Sequence, residues 1–321
     1  MKTCSKPRTV ERYDFNGATM GTRYRAVFYS ADEQNAGELE RQLDLAVTQV
    51  DLQMSNWRPD SELMRFNDLE PGIWMTLPSE LLWVLHTAIQ VGVASDGAFD
   101  IAVGDLVGAW GFGPLAGLAK GGEREALRCQ PGPSAAAALE FDFGTGRVRK
   151  RHRVHLDLSG IAKGFGVDQL ARCLEDRGIR DYLVSIDGEF RARGGKPGGQ
   201  PWTVAIEAPQ EGVRTALGVL QMGDGGLATS GDYRHFHEQE GTRYAHTMDP
   251  RHAVPVANGV ASVSVLAPTC MLADAWATAL MVLGPERGSA VAREYGLSAL
   301  FLLRDKGGLH QLWVEGNGAE R

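Results

Sequence analysis

The sequence predicts an α+β fold, folded as one catalytic unit whose two lobes meet at a cleft. Three observations lead there. Helix-period and strand-period segments are interspersed instead of alternating as regular βαβ units. Turn signals such as Gly144-Thr145-Gly146 join adjacent apolar runs as antiparallel hairpins. No internal repeat and no linker-like stretch divides the 321 residues into separate halves.

Taken in order, residues 1–12 are basic and polar and are expected to form a flexible tail, leaving 13–314 as the folded unit and 315–321 as a C-terminal tail. Thr22–Ser30 alternates as a strand. Leu39, Leu43, Ala46, Val47 and Val50 recur at helical spacing. Pro78-Ser79 opens a second helix that runs to about Val93 and stops at Asp96-Gly97. Residues 113–138 mix Gly, Pro, Ala and charge, which predicts a surface excursion with at most one short helix. Leu139–Phe143 and Arg147–Leu156 flank the glycine turn as a hairpin, and Ser159 to about Arg177 is a helix with Gly178 as its stop. Short strands follow at 182–186, 189–193, 202–207, 217–222, 243–247 and 260–266. Cys270–Leu283 is an apolar helix, and strands near 298–303 and 309–314 close the chain. The seven tryptophans are spread out and are expected mostly in the core.

Composition narrows the function. Lys plus Arg is 33 and Asp plus Glu is 40, a net charge of −7, without the basic stripe of a nucleic-acid binder. At 43% hydrophobic and 23% charged, the chain is globular, not disordered. Forty glycines, many clustered, predict tight turns or close backbone approaches, as where a chain wraps a large ligand. The four cysteines contain no CxxC pair, so zinc ribbons and thioredoxin-type motifs are excluded and buried free thiols are expected. Residues 252–273 lack Asp, Glu, Lys and Arg, but Pro255, Asn258, Gly259 and Pro268 interrupt them, so no membrane span is expected. Walker A, GxGxxG, GxSxG and HExxH are absent.

Four clusters carry chemistry. Asp274 and Thr278 stand at i and i+4 of the apolar helix, so a carboxylate and a hydroxyl share one face, two hard oxygens that suit Mg²⁺. The alternative is a buried polar Asp274 bonded to a neighbouring backbone. In His155-Leu-Asp157-Leu-Ser159-Gly160-Ile-Ala-Lys163-Gly164, a strand ends in Asp157, a small-residue turn follows, and Lys163 joins the amides of a helix start as an anion site. Alternatively, Asp157 or Ser159 is an N-cap and Lys163 is solvated. His246, before Asp249-Pro250, has the chemistry of a base near neutral pH, or is structural beside an ordinary turn. Ser95-Asp-Gly97-Ala98-Phe99-Asp100 would form part of a ring pocket, or a turn with a core Phe. His235-Phe-His237-Glu238 sits in a charged stretch and reads as a solvated loop more than a metal site.

Seven segments then stand in order between Ala18 and Leu283: Ala18-Thr-Met20-Gly-Thr22; Met54-Ser-Asn-Trp57 with Ser61-Glu62-Leu63 and Arg65-Phe66-Asn67; Gly97-Ala-Phe-Asp100 with Trp110-Gly-Phe-Gly113; Asp157 through Gly164; Thr229-Ser-Gly-Asp232-Tyr-Arg234; His246-Thr-Met-Asp249-Pro250; and Ala273-Asp274 through Thr278. Together they resemble the ApbE family of FAD:protein FMN transferases. The resemblance implies mixed or antiparallel sheets with a flavin cleft between the lobes. It implies an FAD site lined by Met20, Trp57, Ala98, Phe99, Asp100, Asp157, Lys163 and Met248, with Mg²⁺ on the Gly160 carbonyl, Asp274 and Thr278. The reaction it implies is Mg²⁺-dependent transfer of FMN from FAD to a Thr or Ser hydroxyl of an acceptor protein, releasing AMP, with His246 as the base. An FAD pyrophosphatase giving FMN and AMP, and a non-catalytic FAD-binding protein, are the competing readings. Asp224-Gly-Gly-Leu-Ala-Thr229 is close to the acceptor pattern of that reaction and is read as coincidence. Many members of that family are exported lipoproteins. Here only Met-Lys-Thr precedes Cys4, so the cytoplasm is the expected compartment as the sequence stands, with a periplasmic or inner-membrane lipoprotein as the alternative if a leader was removed.

Overall fold

The computed structural model describes residues 10–32, 34–117, 127–128, 130–210, 215–233, 236–239, 242–305 and 307–316, with backbone alone at 237–239 and 242–243. Its frame is an eight-stranded sheet in the order β1 (Glu11–Thr19), β2 (Thr22–Ser30), β6 (Asp181–Ile186), β7 (Glu189–Arg193), β10 (Gly225–Gly231), β15 (Val260–Ala267), β16 (Ser298–Asp305) and β17 (Gly308–Val314). Every neighbouring pair is antiparallel. Alternation along β2 sorts its side chains. Tyr24, Ala26 and Phe28 face the helices, while Val27 points to the other face.

Three helices cover the first face: α1 (Ala36–Met54), α6 (Ala162–Glu175) and α7 (Cys270–Glu294). The α1 start is capped by the Asn35 side chain, which accepts the Glu38 amide, and Leu39, Leu43, Val47 and Val50 form its buried stripe. The opposite face is covered by a hairpin, β8 (Trp202–Glu207) and β9 (Ala216–Met222), through Trp202, Val204 and Ile206.

A smaller sheet, β3 (Met75–Thr76), β5 (Arg147–Lys150) and β4 (Leu139–Asp142), packs with α2 (Glu62–Asn67), α3 (Ser79–Ala94), α4 (Gly104–Ala109) and α5 (Ala135–Ala138). Leu81, Leu85 and Val148 of this part share one continuous core with Ala275, Leu280 and Met281 of α7. Short pairs β11 (Phe236–Gln239) with β12 (Thr242–Ala245), and β13 (Met248–Asp249) with β14 (Val254–Pro255), complete the described residues. Among these residues no helix is long and apolar enough to cross a membrane.

The α+β expectation stands, with five differences in detail. The N-terminal tail ends earlier than residue 12, because Glu11 and Arg12 pair with Ser30 and Tyr29; residues 1–9 and 317–321 of the two tails lie outside the described residues. The strand expected over Arg147–Leu156 leaves the ladder after Lys150, and its remainder is held by isolated backbone bonds at Arg151 and His155 and by the side chains of Asp105 and Asn67. A central strand, β10, was hidden by its glycines: a Cβ on Gly226 would collide with the backbone of Cys270, so α7 crosses the sheet too closely for a side chain there. The helix expected to end at Leu283 continues to Glu294 past a kink at Gly284-Pro285, where Gly284 takes φ 76°. The tryptophans are not mostly core: Trp202 and Trp276 are buried, Trp74 and Trp110 half-buried, and Trp57, Trp83 and Trp313 exposed. Cys270 is a buried free thiol and Cys173 a half-buried one; Cys4 and Cys129 lie outside the described residues.

Candidate active site

The site begins where α6 and α7 cross. The start of α6 has no side-chain cap of its own; its N-cap position is Ile161. Instead Asp274, from the second turn of α7, accepts the Gly164 amide on Oδ2 at 3.0 Å. Asp168 of α6 returns the favour: its carboxylate accepts the amides of Cys270 (3.0 Å) and Met271 (2.9 Å), the first turn of α7. Arg191 pairs with the same carboxylate at 2.7 Å. Gly164 is required by this crossing, since a Cβ there would meet the Cys270 carbonyl and Asp274.

One turn beyond Asp274, the Thr278 hydroxyl lies 3.0 Å from the Ser230 hydroxyl of β10. It also lies 3.0 Å from the point a Cβ on Gly160 would occupy, with the Phe99 ring at 3.2 Å. The turn before α6 therefore presents its backbone at Gly160 directly to Thr278. Lys163 extends from the first turn of α6 and donates to Glu189 Oε1 at 2.6 Å. Burial disfavours the Lys163 charge, but Glu189 and Asp274 together more than offset this and keep it protonated. Burial, then Glu189, pushes the Asp274 carboxyl up to about 7, against the pull of Lys163 and the Gly164 amide.

A second group surrounds Asp157. Its Oδ1 accepts the Ser159 amide at 2.8 Å, an Asx turn and not a helix cap. The segment leading to it is fixed by Asn67, whose side chain accepts from Leu156 N at 2.8 Å and donates to Leu156 O at 2.9 Å, as a neighbouring strand would. The buried Lys150 ammonium donates to the Asn67 carbonyl at 2.6 Å. Asn56, Asn67, Phe112 and Asp157 line one pocket. Phe112 packs with Met248, Leu106 and Ala253, and its ring is 6.4 Å from that of His246. Trp57, next to the pocket residue Asn56, is 71% exposed.

The predicted residues thus fall into two adjoining sets joined by the 157–160 turn. Gly160, Lys163, Asp274, Thr278 and Phe99 form one; Asp157, Met248, His246 and Trp57 belong to the other. Met20, at φ 46°, packs from the β1–β2 turn against α6, its Cε lying 3.1 Å from where a Gly166 Cβ would stand. Ala98 and Phe99 are in the core, and the Asp100 carboxylate is committed to the amides of Ala102 (2.8 Å) and Ala135 (3.0 Å). Two expectations change here. Lys163 is paired, not solvated, and the Gly164 amide of the expected anion site is already taken by Asp274. Thr229 of the acceptor-like segment is inside the sheet, bonded to the Ser264 hydroxyl at 2.7 Å. His235 and the side chains of His237 and Glu238 lie outside the described residues.

Glu189, Ser230, Asp168 and Asn67 were not anticipated as site residues. Glu189 opens a strand after a Gly turn, where an acid reads as solvent-facing; only the fold shows that it is 2% exposed. Asn67 ends the Arg65-Phe66-Asn67 stretch, but nothing local reveals a partner 89 residues away.

The comparisons with known proteins bear on the family and the fold. The model of the ApbE family matches residues 20–301. A FAD:protein FMN transferase of Vibrio cholerae is 38% identical over 312 residues, covering 96% of this chain and 92% of that protein. One from Escherichia coli K12 is 33% identical over 97% of this chain and 89% of its own length. Among solved structures, the flavin transferase ApbE from Vibrio cholerae superposes with a TM-score of 0.83 at 36% identity, covering 95% of this chain and 97% of that one. The apo flavinyl transferase ApbE of Pseudomonas stutzeri gives 0.85 at 33% identity, covering 98% and 100%. With the family match spanning most of the sequence and the fold shared from end to end, the chain belongs to the ApbE family.

Proposed function

We propose that this flavin transferase moves FMN from FAD to a Thr or Ser hydroxyl of an acceptor protein, with Mg²⁺ at the α6–α7 crossing and AMP as the second product. The observation that carries the reading is the convergence of Asp274, Thr278 and Gly160. A buried carboxylate raised to about 7 is a group short of positive charge, and its neighbours at the crossing are a hydroxyl and a backbone turn. An all-oxygen set of this kind fits a hard divalent cation. Asp274, Thr278 and the Gly160 carbonyl would hold it, and when bound it supplies charge neutralisation at the pyrophosphate.

The chain's own groups do the rest. The Lys163 ammonium, anchored by Glu189, stays near the anionic linkage without being free to follow it. The pocket at Asn56, Asn67, Phe112 and Asp157 offers an apolar wall and a few polar groups of the type that orient a ring system. An acceptor hydroxyl is a poor nucleophile until its proton is removed, and His246, beside Phe112, takes that role. The hydroxyl oxygen forms the new bond to the FMN phosphorus, the pyrophosphate P–O bond breaks, AMP leaves with the bridging oxygen, and His246 holds the proton.

The test is mass spectrometry of a Thr-containing acceptor domain after incubation with the protein, FAD and Mg²⁺. A mass gain of esterified FMN, absent with Asp274→Ala, is expected. FAD cleaved to FMN and AMP with the acceptor unmodified would replace transfer by hydrolysis, and intact FAD throughout would leave binding alone.

A further inference from the structure

Glu189 has no part in the ligand set, yet it is the most thoroughly buried acid at the crossing, 2% exposed at the start of β7. One of its oxygens, Oε1, holds Lys163 at 2.6 Å; the other, Oε2, is buried with no hydrogen-bond partner. Lys163 is next in sequence to Gly164, whose amide is bound to Asp274, so the ammonium has two anions within electrostatic reach. It contacts only one. No ion pair within 4.0 Å links Lys163 to Asp274. Its side chain is 32% exposed, so the pairing with Glu189, and not full enclosure, holds it in place.

The charges explain why this choice matters. With both carboxylates ionised, Lys163, Glu189 and Asp274 carry one positive and two negative charges, an excess in a desolvated place that a bound cation would balance. Without the Glu189 charge, Lys163 and Asp274 neutralise each other, and an internal ammonium competes for the carboxylate. We infer that Glu189 is a positioning residue that holds the Lys163 ammonium off Asp274 and so keeps that carboxylate available to a divalent cation. The inference rests on the ligand set proposed above and adds to it the device that keeps the set open.

The experiment is Mn²⁺ titration of the FAD-loaded protein, read by the EPR signal of free Mn²⁺, with flavin fluorescence reporting FAD occupancy separately. Glu189→Gln keeps an acceptor for Lys163 but removes the charge. It is expected to weaken Mn²⁺ binding about 10–100-fold, the range for residues that act on a metal site through its ligands. Glu189→Gln combined with Lys163→Met removes the competing ammonium as well and is expected to return binding to within about twofold of the wild type. That rescue separates a charge device from general damage to the fold. Unchanged binding in Glu189→Gln, or a double variant as weak as the single one, overturns the inference while leaving the ligand set standing. A wild-type protein that binds no Mn²⁺ overturns the ligand set itself.

Discussion

Asp274, the carboxylate proposed above as a cation ligand, is buried where a charge without a bound cation is costly, so Asp274→Asn should stabilise the metal-free protein. Asn keeps an oxygen that can accept the Gly164 amide, and the volume hardly changes. What is removed is the cost of ionising a group whose carboxyl is raised from 3.8 to about 7 by burial and Glu189. Each unit corresponds to 1.36 kcal/mol, so ionisation above pH 7 costs about 4 kcal/mol, and we expect about 2–4 kcal/mol to be recovered. The sign follows from proton binding. Between pH 4 and 7 the folded state holds the Asp274 proton more tightly than the unfolded chain does. Wild-type stability therefore falls through that window relative to Asp274→Asn, and the difference is near zero at its acid end. Urea unfolding in EDTA at pH 5 and pH 8 measures it, with a gain of about 1–2 kcal/mol expected at pH 5 and the full gain at pH 8. Adding Mg²⁺ at pH 8 should stabilise the wild type and not the variant. A variant less stable than wild type at pH 8 in EDTA, or a difference that does not grow with pH, would refute the electrostatic account of this site.

Other substitutions probe the frame. Asp168→Ala strips two amides at the start of α7 and the Arg191 partner at once, and should lower stability by about 3–5 kcal/mol in denaturant unfolding, the range for breaking a buried pair. Gly164→Ala forces a methyl against the Cys270 carbonyl; a loss of about 1–3 kcal/mol is expected, visible as a lower Tm, together with weaker Mg²⁺ binding because Asp274 is displaced. Asn67→Ala frees the segment that ends at Asp157, and should raise the Kd for FAD by fluorescence titration even where the protein remains folded. His246→Ala should retain FAD binding and lose transfer; an unchanged transfer rate removes it as the base.

The legible part of this protein is its local chemistry. Helix α1 was readable because its apolar stripe is continuous, and β8 because Trp202, Val204 and Ile206 alternate. Asp274 and Thr278 could be put on one helix face by counting to four. What spacing could not supply was the second helix. Whether Asp274 meets a cation, a cap or a lysine depends on α6, 110 residues earlier in the chain. The central strand β10 was illegible for a related reason: Gly225-Gly226 reads as a turn, whereas Gly226 is small because the start of α7 lies against it and Gly225 because the Ala267 carbonyl of β15 does. Lys163 illustrates the limit most sharply. A lysine in a helix's first turn suggests an anion or solvent, and only burial shows that its partner is Glu189.

The reciprocal clasp between α6 and α7 also bears on how the protein is made. Its bonds join Gly164 to Asp274 and Asp168 to Cys270 and Met271, partners 110, 102 and 103 residues apart. Contacts so distant in sequence close late and slowly during folding, because long loops must be ordered before the contacts form. During synthesis, a nascent chain ending before Cys270 has α6 with its capping partner missing and neither Asp274 nor Thr278. The proposed cation site therefore forms only when α7 has left the ribosome and docked, so chemistry that needs it is confined to finished molecules.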